Sequence, residues 1–213
     1  MNDNKTYRII AVVALLLGVV GVTLGYAAFS STLTISSSAE VTPDASTFNV
    51  DFSSSSSSVV ANDITPSLSA VVTNFTASDA VIDNTSDPTI SNLKATFTAP
   101  GQSVTYTFYS YNAGQYIAYL NSIVFSGSKT CTAKTGTQQS LVDTACNGIS
   151  LSIKVGSEAV TTTSIATISG HSLGINNAEE IVVTISYLQG SGVADGDFDV
   201  VLPSIILTYD SAD

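Results

Sequence analysis

The side chains able to do chemistry are few, and their spacing limits what that chemistry can be. His171 is the only histidine, so any imidazole chemistry must use it. A hydrolytic triad would pair it with a serine on a sharp turn such as Gly-x-Ser-x-Gly. The nearest run, Leu188-Gln189-Gly190-Ser191-Gly192, lacks the first glycine, and no His-Glu-x-x-His exists for a zinc protease. A loop histidine after Gly170 is the plain alternative. Asp195, Asp197 and Asp199 stand at i, i+2 and i+4. In an extended strand that spacing puts three carboxylates on one face, where they could hold Ca²⁺ through oxygen ligands. The run departs from an EF-hand: glycine holds its second position, and Ile206 stands where the closing Glu belongs. A solvated hairpin turn is the competing reading. Cys131 and Cys146 lie 15 positions apart with no third cysteine, which in an oxidising compartment means one disulfide. Two reduced thiols are the alternative elsewhere. Lys94 or Lys154 could form an amide crosslink with an Asn or Asp, but spacing alone brings no partner to either. Tyr106, Tyr109, Tyr111, Tyr116 and Tyr119 crowd two successive predicted strands. Such rings anchor a partner or stack on sugars, or else make ordinary cross-strand pairs.

The elements that carry these residues follow from composition. Of 213 residues 11% are charged and 44% apolar, and the formal net charge is −11. There are 33 Ser and 26 Thr against 6 Lys+Arg. So few cations cannot neutralise many phosphates, which argues against a nucleic-acid partner. One His, one Met, no Trp and two Cys leave little for a metal centre or cofactor site, so the chain reads as a non-enzyme with no cofactor. Abundant Thr, Val, Ile and Tyr favour strands.

Charge is also unevenly placed. Lys5 and Arg8 precede Ile9–Phe29, 21 residues without a charge. As a helix that run would span roughly 30 Å, enough to cross a bilayer. Cations before it keep that end in the cytoplasm and export the rest, a part holding 16 acids and only Lys94, Lys129, Lys134 and Lys154. Residues 1–30 are therefore a signal peptide, cut after Ala27 or Ser30 where small residues stand at −3 and −1, or an uncleaved membrane anchor. Residues 31–213 form an exported domain, extracellular or on the cell surface.

Within that domain, Ser31–Val41 alternates, with Leu33, Ile35, Ala39 and Val41 on one side. Ser53–Ser58 reads as a flexible loop. Further strands are expected at Leu68–Phe75, Ile90–Phe97, Val104–Tyr109, Tyr116–Phe125, Ile149–Val155, Ile181–Tyr187 and Phe198–Tyr209. Turns fall at Asn84–Pro88, Pro100-Gly101 and Asn112–Gly114, and Pro203 breaks or bulges the last strand. The stretch between the cysteines reads as a loop with one helical turn at Gln139–Ala145. About nine strands and no convincing amphipathic helix make an all-β chain, a single antiparallel β-sandwich of immunoglobulin-like or jelly-roll type.

Gly21–Val41, GVTLGYAAFSSTLTISSSAEV, resembles the export region and first strand of small surface proteins of low-GC Gram-positive bacteria, the TasA and camelysin group of biofilm-matrix fibre subunits. Pro100-Gly101-Gln102-Ser103-Val104-Thr105-Tyr106-Thr107-Phe108, running on to Asn112-Ala113-Gly114, is similar to a pattern of bacterial immunoglobulin-like modules. Together the two matches cover about 35 residues. The first implies a homopolymer in which the amino-terminal strand of one subunit, with Leu33, Ile35, Ala39 and Val41 as donor side chains, fills a groove in the next. The alternatives are a strand that pairs within its own domain, and a membrane-tethered monomer that acts as an adhesin or binding ectodomain.

Overall fold

The alternation along Val104–Phe108 has the burial a half-covered strand requires. In the computed structural model of the chain Val104, Tyr106 and Phe108 are fully buried while Thr107 is exposed. Residues 48–70, 74–85, 88–160 and 171–211 are described. The apolar span Ile9–Phe29, the cleavage positions Ala27 and Ser30, and the donor residues Leu33, Ile35, Ala39 and Val41 lie outside them. The chain divides into Met1–Thr42 and Pro43–Asp213, and every described residue belongs to the second unit.

The described residues hold fifteen strands and one helix, numbered in chain order. A six-stranded sheet runs β1 (Val50–Ser53), β7 (Ser103–Asn112), β13 (Ala178–Tyr187), β10 (Ile149–Val155) and β11 (Glu158–Val160), with β2 (Ser67–Ser69) also on β7. A five-stranded sheet runs β12 (Ser172–Leu173), β8 (Ala118–Phe125), β15 (Ile205–Ser211), β5 (Thr89–Ser91) and β4 (Val81–Asp83). A four-stranded sheet runs β3 (Thr76–Ala77), β6 (Lys94–Phe97), β14 (Phe198–Val201) and β9 (Thr130–Ala133). Every pairing between these strands is antiparallel. The fold is all-β and sandwich-like, as its alternation predicts.

The short strands correct the expected count of nine, and two breaks explain much of it. Ile90–Phe97 is not one strand: Asn92 takes φ +57°, and the chain leaves the five-stranded sheet as β5 and enters the four-stranded one as β6. Phe198–Tyr209 does the same at Pro203, passing from β14 to β15. Because β14 pairs with β6 and β15 with β5, two neighbouring strands cross together, stitched where Leu202 N donates to Leu93 O at 2.9 Å. A left-handed Asn and a proline, which lacks the ladder donor, suit such a corner.

One apolar cluster joins the sheets. Tyr187 of the six-stranded sheet meets Phe198 and Phe97 of the four-stranded one at ring distances of 5.4 and 6.0 Å. Tyr106 reaches across to donate its hydroxyl to Ser78 O and Lys94 O at 3.0 and 2.9 Å. Burial pushes that phenol up to about 12. Each such side chain, fully buried, contributes roughly 1.5–3 kcal/mol.

Three further expectations change. The serine run is tied down rather than loose: buried Ser53 donates its hydroxyl to Ser58 O at 2.7 Å and accepts from Val60 N and Ser55 N. Of the strand expected at Leu68–Phe75, residues 71–73 lie outside the described residues; β2 covers Ser67–Ser69, Ala70, Asn74 and Phe75 are not in a strand, and Leu68 is 48% exposed. The segment bounded by the cysteines starts in β9 and forms α1 (Gln139–Cys146), a full helix rather than one turn. Eight residues are too few for an independent helix. Val142 and Ala145 bury its inner side. Its first side chain, Gln139, accepts from Ala133 N and donates to Cys131 O, covering the outer edge of β9 with a carboxamide.

Candidate functional site

The edge of β10 along Ile149–Ser152, which no described strand pairs, is the feature that stands out. Gly148 O accepts from Leu188 N at 2.9 Å. Antiparallel alternation therefore turns the main-chain groups of Ile149 and Leu151 away from β13, toward the other edge of β10. There β11 pairs only with Ile153, Lys154 and Val155. Along Ile149–Ser152 no described strand pairs with that edge. Beside it lies an open groove of about 500 Å³, lined by Phe125, Ile149, Leu151, Leu202 and Pro203 with Lys129 at its wall. Lys129 Nζ donates to Ile149 O, occupying one edge acceptor. Partial burial pulls its ammonium below the usual lysine range. Leu151 is only half-buried, and it lines this groove. The arrangement offers main-chain donors and acceptors next to a groove with an apolar part at Phe125, Leu151, Leu202 and Pro203, the chemistry that receives an extended strand.

The aspartates do not converge. Asp195 accepts from Gln138 N and Nε2 at 3.0 and 2.9 Å, which holds its carboxyl below the usual range. Asp197 offers its backbone oxygen to Lys134 N and Thr137 Oγ1. Asp199 accepts from Lys94 Nζ at 2.8 Å and Thr96 Oγ1 at 2.6 Å, with Lys134 Nζ at 3.8 Å. Burial opposes its charge, but these partners outweigh burial and lower its pKa. Among the described residues no three His, Cys, Asp or Glu side chains are grouped to hold a metal. Lys94 thus has a carboxylate beside it, a partner that spacing did not locate.

Cys131 and Cys146 are joined in a disulfide that fastens β9 to the end of α1. The tyrosines do not share one face, since β7 and β8 belong to different sheets. Tyr106 and Tyr111 are buried, while Tyr116 and Tyr119 are exposed.

His171 is not a free loop residue. Its Nδ1 lies 2.5 Å from Glu179 Oε1 and its Nε2 lies 3.3 Å from Glu158 Oε2, so both ring nitrogens face carboxylates. Burial opposes its charge, but the hydrogen bonds and charges of Glu179 and Glu158 prevail and raise its pKa above the ordinary 6.5. Glu179 Oε2 is buried without a hydrogen-bond partner. Neither this trio nor the β10 edge is visible in the sequence. Residues 158, 171 and 179 meet only through strand register, and an open edge has no sequence signature.

Among the described residues no helix is long and apolar enough to cross a membrane. Comparisons with protein-family models, with curated proteins and with solved structures returned no match.

Proposed function

We propose that the chain is an exported structural surface protein, a non-enzymatic subunit of extracellular filaments or biofilm matrix that polymerises by amino-terminal strand exchange. The observation that supports it is the β10 edge at Ile149–Ser152, unpaired among the described residues and flanked by a groove of mixed apolar and polar lining. In this reading the donor is the alternating strand Ser31–Val41 of another copy, with Leu33, Ile35, Ala39 and Val41 entering pockets and its main chain pairing with β10. Ile9–Phe29 directs export and is cut after Ala27 or Ser30. The test is amino-terminal sequencing of the mature protein at the cell surface, with negative-stain imaging. A start near Ala28 or Ser31 and thin filaments are expected. Changing Leu33 and Ile35 together to Asp should abolish filaments and leave a folded monomer. Filaments that persist in that variant would refute the mechanism.

A second reading, a membrane-tethered adhesin that keeps Ile9–Phe29 as its anchor, draws on exposed Tyr116, Ile117 and Ile175. Their loops are tied together where Asn112 Nδ2 donates to Tyr116 O and Asn176 N donates to Asn112 O. An intact Met1 end in the membrane fraction, with a monomeric exported domain, would favour it.

A further inference from the structure

Register puts Glu158 opposite Val155 on the adjacent strand, and Glu179 two positions before Ile181 on its own strand. Both carboxylates therefore share the core face of the six-stranded sheet with those apolar side chains. His171 comes from the other layer. It directly precedes β12, and its carbonyl accepts from Leu120 N of β8 at 3.0 Å. One imidazole thus spans the two layers and touches β11 and β13 at once. We propose that His171, Glu179 and Glu158 form a proton-operated clip that holds β11 on β10 and so sets how much of the β10 edge is open.

The protonated ring donates from both nitrogens, to Glu179 and to Glu158. A neutral ring has one N–H. Kept on Glu179, it turns the Nε2 lone pair toward the Glu158 carboxylate, and that contact becomes repulsive. Glu179, whose Oε2 already lacks a partner, then also loses its compensating charge. Glu158 is 66% exposed and can swing into water, so β11 is the strand released. Among the described residues three pairs hold β11 to β10. Its departure frees the β10 edge at Ile153–Val155.

The turn between the strands is shaped for the clip. Gly156 has φ +55°, and a Cβ there would sit 3.1 Å from Glu179 Oε1 and 3.9 Å from His171 Cε1, so glycine serves both the backbone and the close approach. Other ionisable groups do not replace the trio. Lys154 and Glu180 stand on the outer face by alternation. Tyr119 of β8 lies opposite Ser172 and is exposed. Tyr209 of β15 donates to Ser110 Oγ at 2.7 Å, its phenol raised by burial and, to a lesser degree, by the Glu179 charge.

The sign follows from a raised histidine pKa. The clip is closed below the ordinary value of 6.5 and opens as pH rises through the higher folded value. Its bearing on assembly rests on the strand-exchange reading, but the opening of the edge is measurable on the single chain. Histidine-selective ¹³C labelling of the full-length chain in detergent micelles gives one imidazole signal, because His171 is alone. That signal should titrate above 6.5, and Glu158→Gln should bring it down. Hydrogen exchange, corrected for its intrinsic pH dependence, should show protection at Glu158–Val160 falling roughly tenfold between about pH 6 and about pH 9, the scale of one charge-assisted hydrogen bond. The amides of β13 that pair with β7 should not change. Glu158→Gln, at an exposed position that leaves the fold intact, should remove this pH dependence, as should His171→Gln. A signal titrating at or below 6.5, or equal β11 protection at both pH values in the unaltered chain, overturns the clip. Absence of filaments at every pH with these signals intact would instead refute strand exchange and leave the clip standing.

Discussion

Removing the disulfide by Cys131→Ala with Cys146→Ala offers a perturbation whose size the structure sets. The bond closes a loop of separation 15 between an edge strand and the end of α1. In the chain-entropy model a loop of that length stabilises the fold by about 3 kcal/mol, through restriction of the unfolded chain. The native contacts remain without it: Val142 and Ala145 stay buried, and Gln139 still bonds Ala133 N and the carbonyl at position 131 on the outer edge of β9. The loss should therefore appear as stability, with the fold preserved. Urea unfolding can be followed by tyrosine emission, since the chain has 9 Tyr and no Trp. With a slope of about 2 kcal/mol/M the midpoint should fall by about 1.5 M, and the slope should rise slightly as the unfolded chain expands. Reduction of the unaltered protein should reproduce the shift. A midpoint equal in oxidised and reduced protein would refute the reasoning, because the loop would then be constrained in the unfolded state by something other than the bond.

Two further outcomes rest on the core and the charged strand face. Tyr106→Phe removes the hydroxyl that reaches Ser78 O and Lys94 O. Lys94 O keeps Ser78 N as a donor, so one carbonyl is orphaned and the cost in chemical denaturation should be about 1–2 kcal/mol; a neutral result would mean that water reaches Ser78 O. Asp199→Asn should cost about 1 kcal/mol near neutral pH, a figure discounted for partial exposure. Because the folded pKa of Asp199 is lowered, its contribution is present above the ordinary 3.8 and lost as pH falls through the folded value. The variant's acid unfolding curve should therefore be flatter below about pH 4, and a curve of unchanged slope would contradict the ion pair with Lys94.

How far the fold can be read from the residues depends on contrast along each strand. Val104–Phe108 of β7 and Ile181–Tyr187 of β13 place large apolar residues at every second position, and their inward faces are legible directly, whereas the buried Ser110 and Asn112 beyond them are not. β9 alternates Thr130 and Thr132 with Cys131 and Ala133, a contrast too weak to separate it from a loop. Pro203 announces the corner between β14 and β15. Asn92 does not announce its twin, because an asparagine with positive φ looks like any polar residue on the outer face of a strand. The disulfide is legible because only two cysteines exist. The site is not: no local pattern marks which edge of β10 lacks a described partner. The His171 trio is assembled from two layers by register that no local pattern encodes.

Cross-link mapping of filaments grown from mixed ¹⁴N- and ¹⁵N-labelled subunits tests the central claim most directly. Strand exchange predicts links between residues 31–42 of one isotope and residues 149–155 or Lys129 of the other, present in filaments and missing from monomer. Links confined to one isotope, or the same links in monomer, would show that the strand pairs within its own chain and would contradict assembly by exchange.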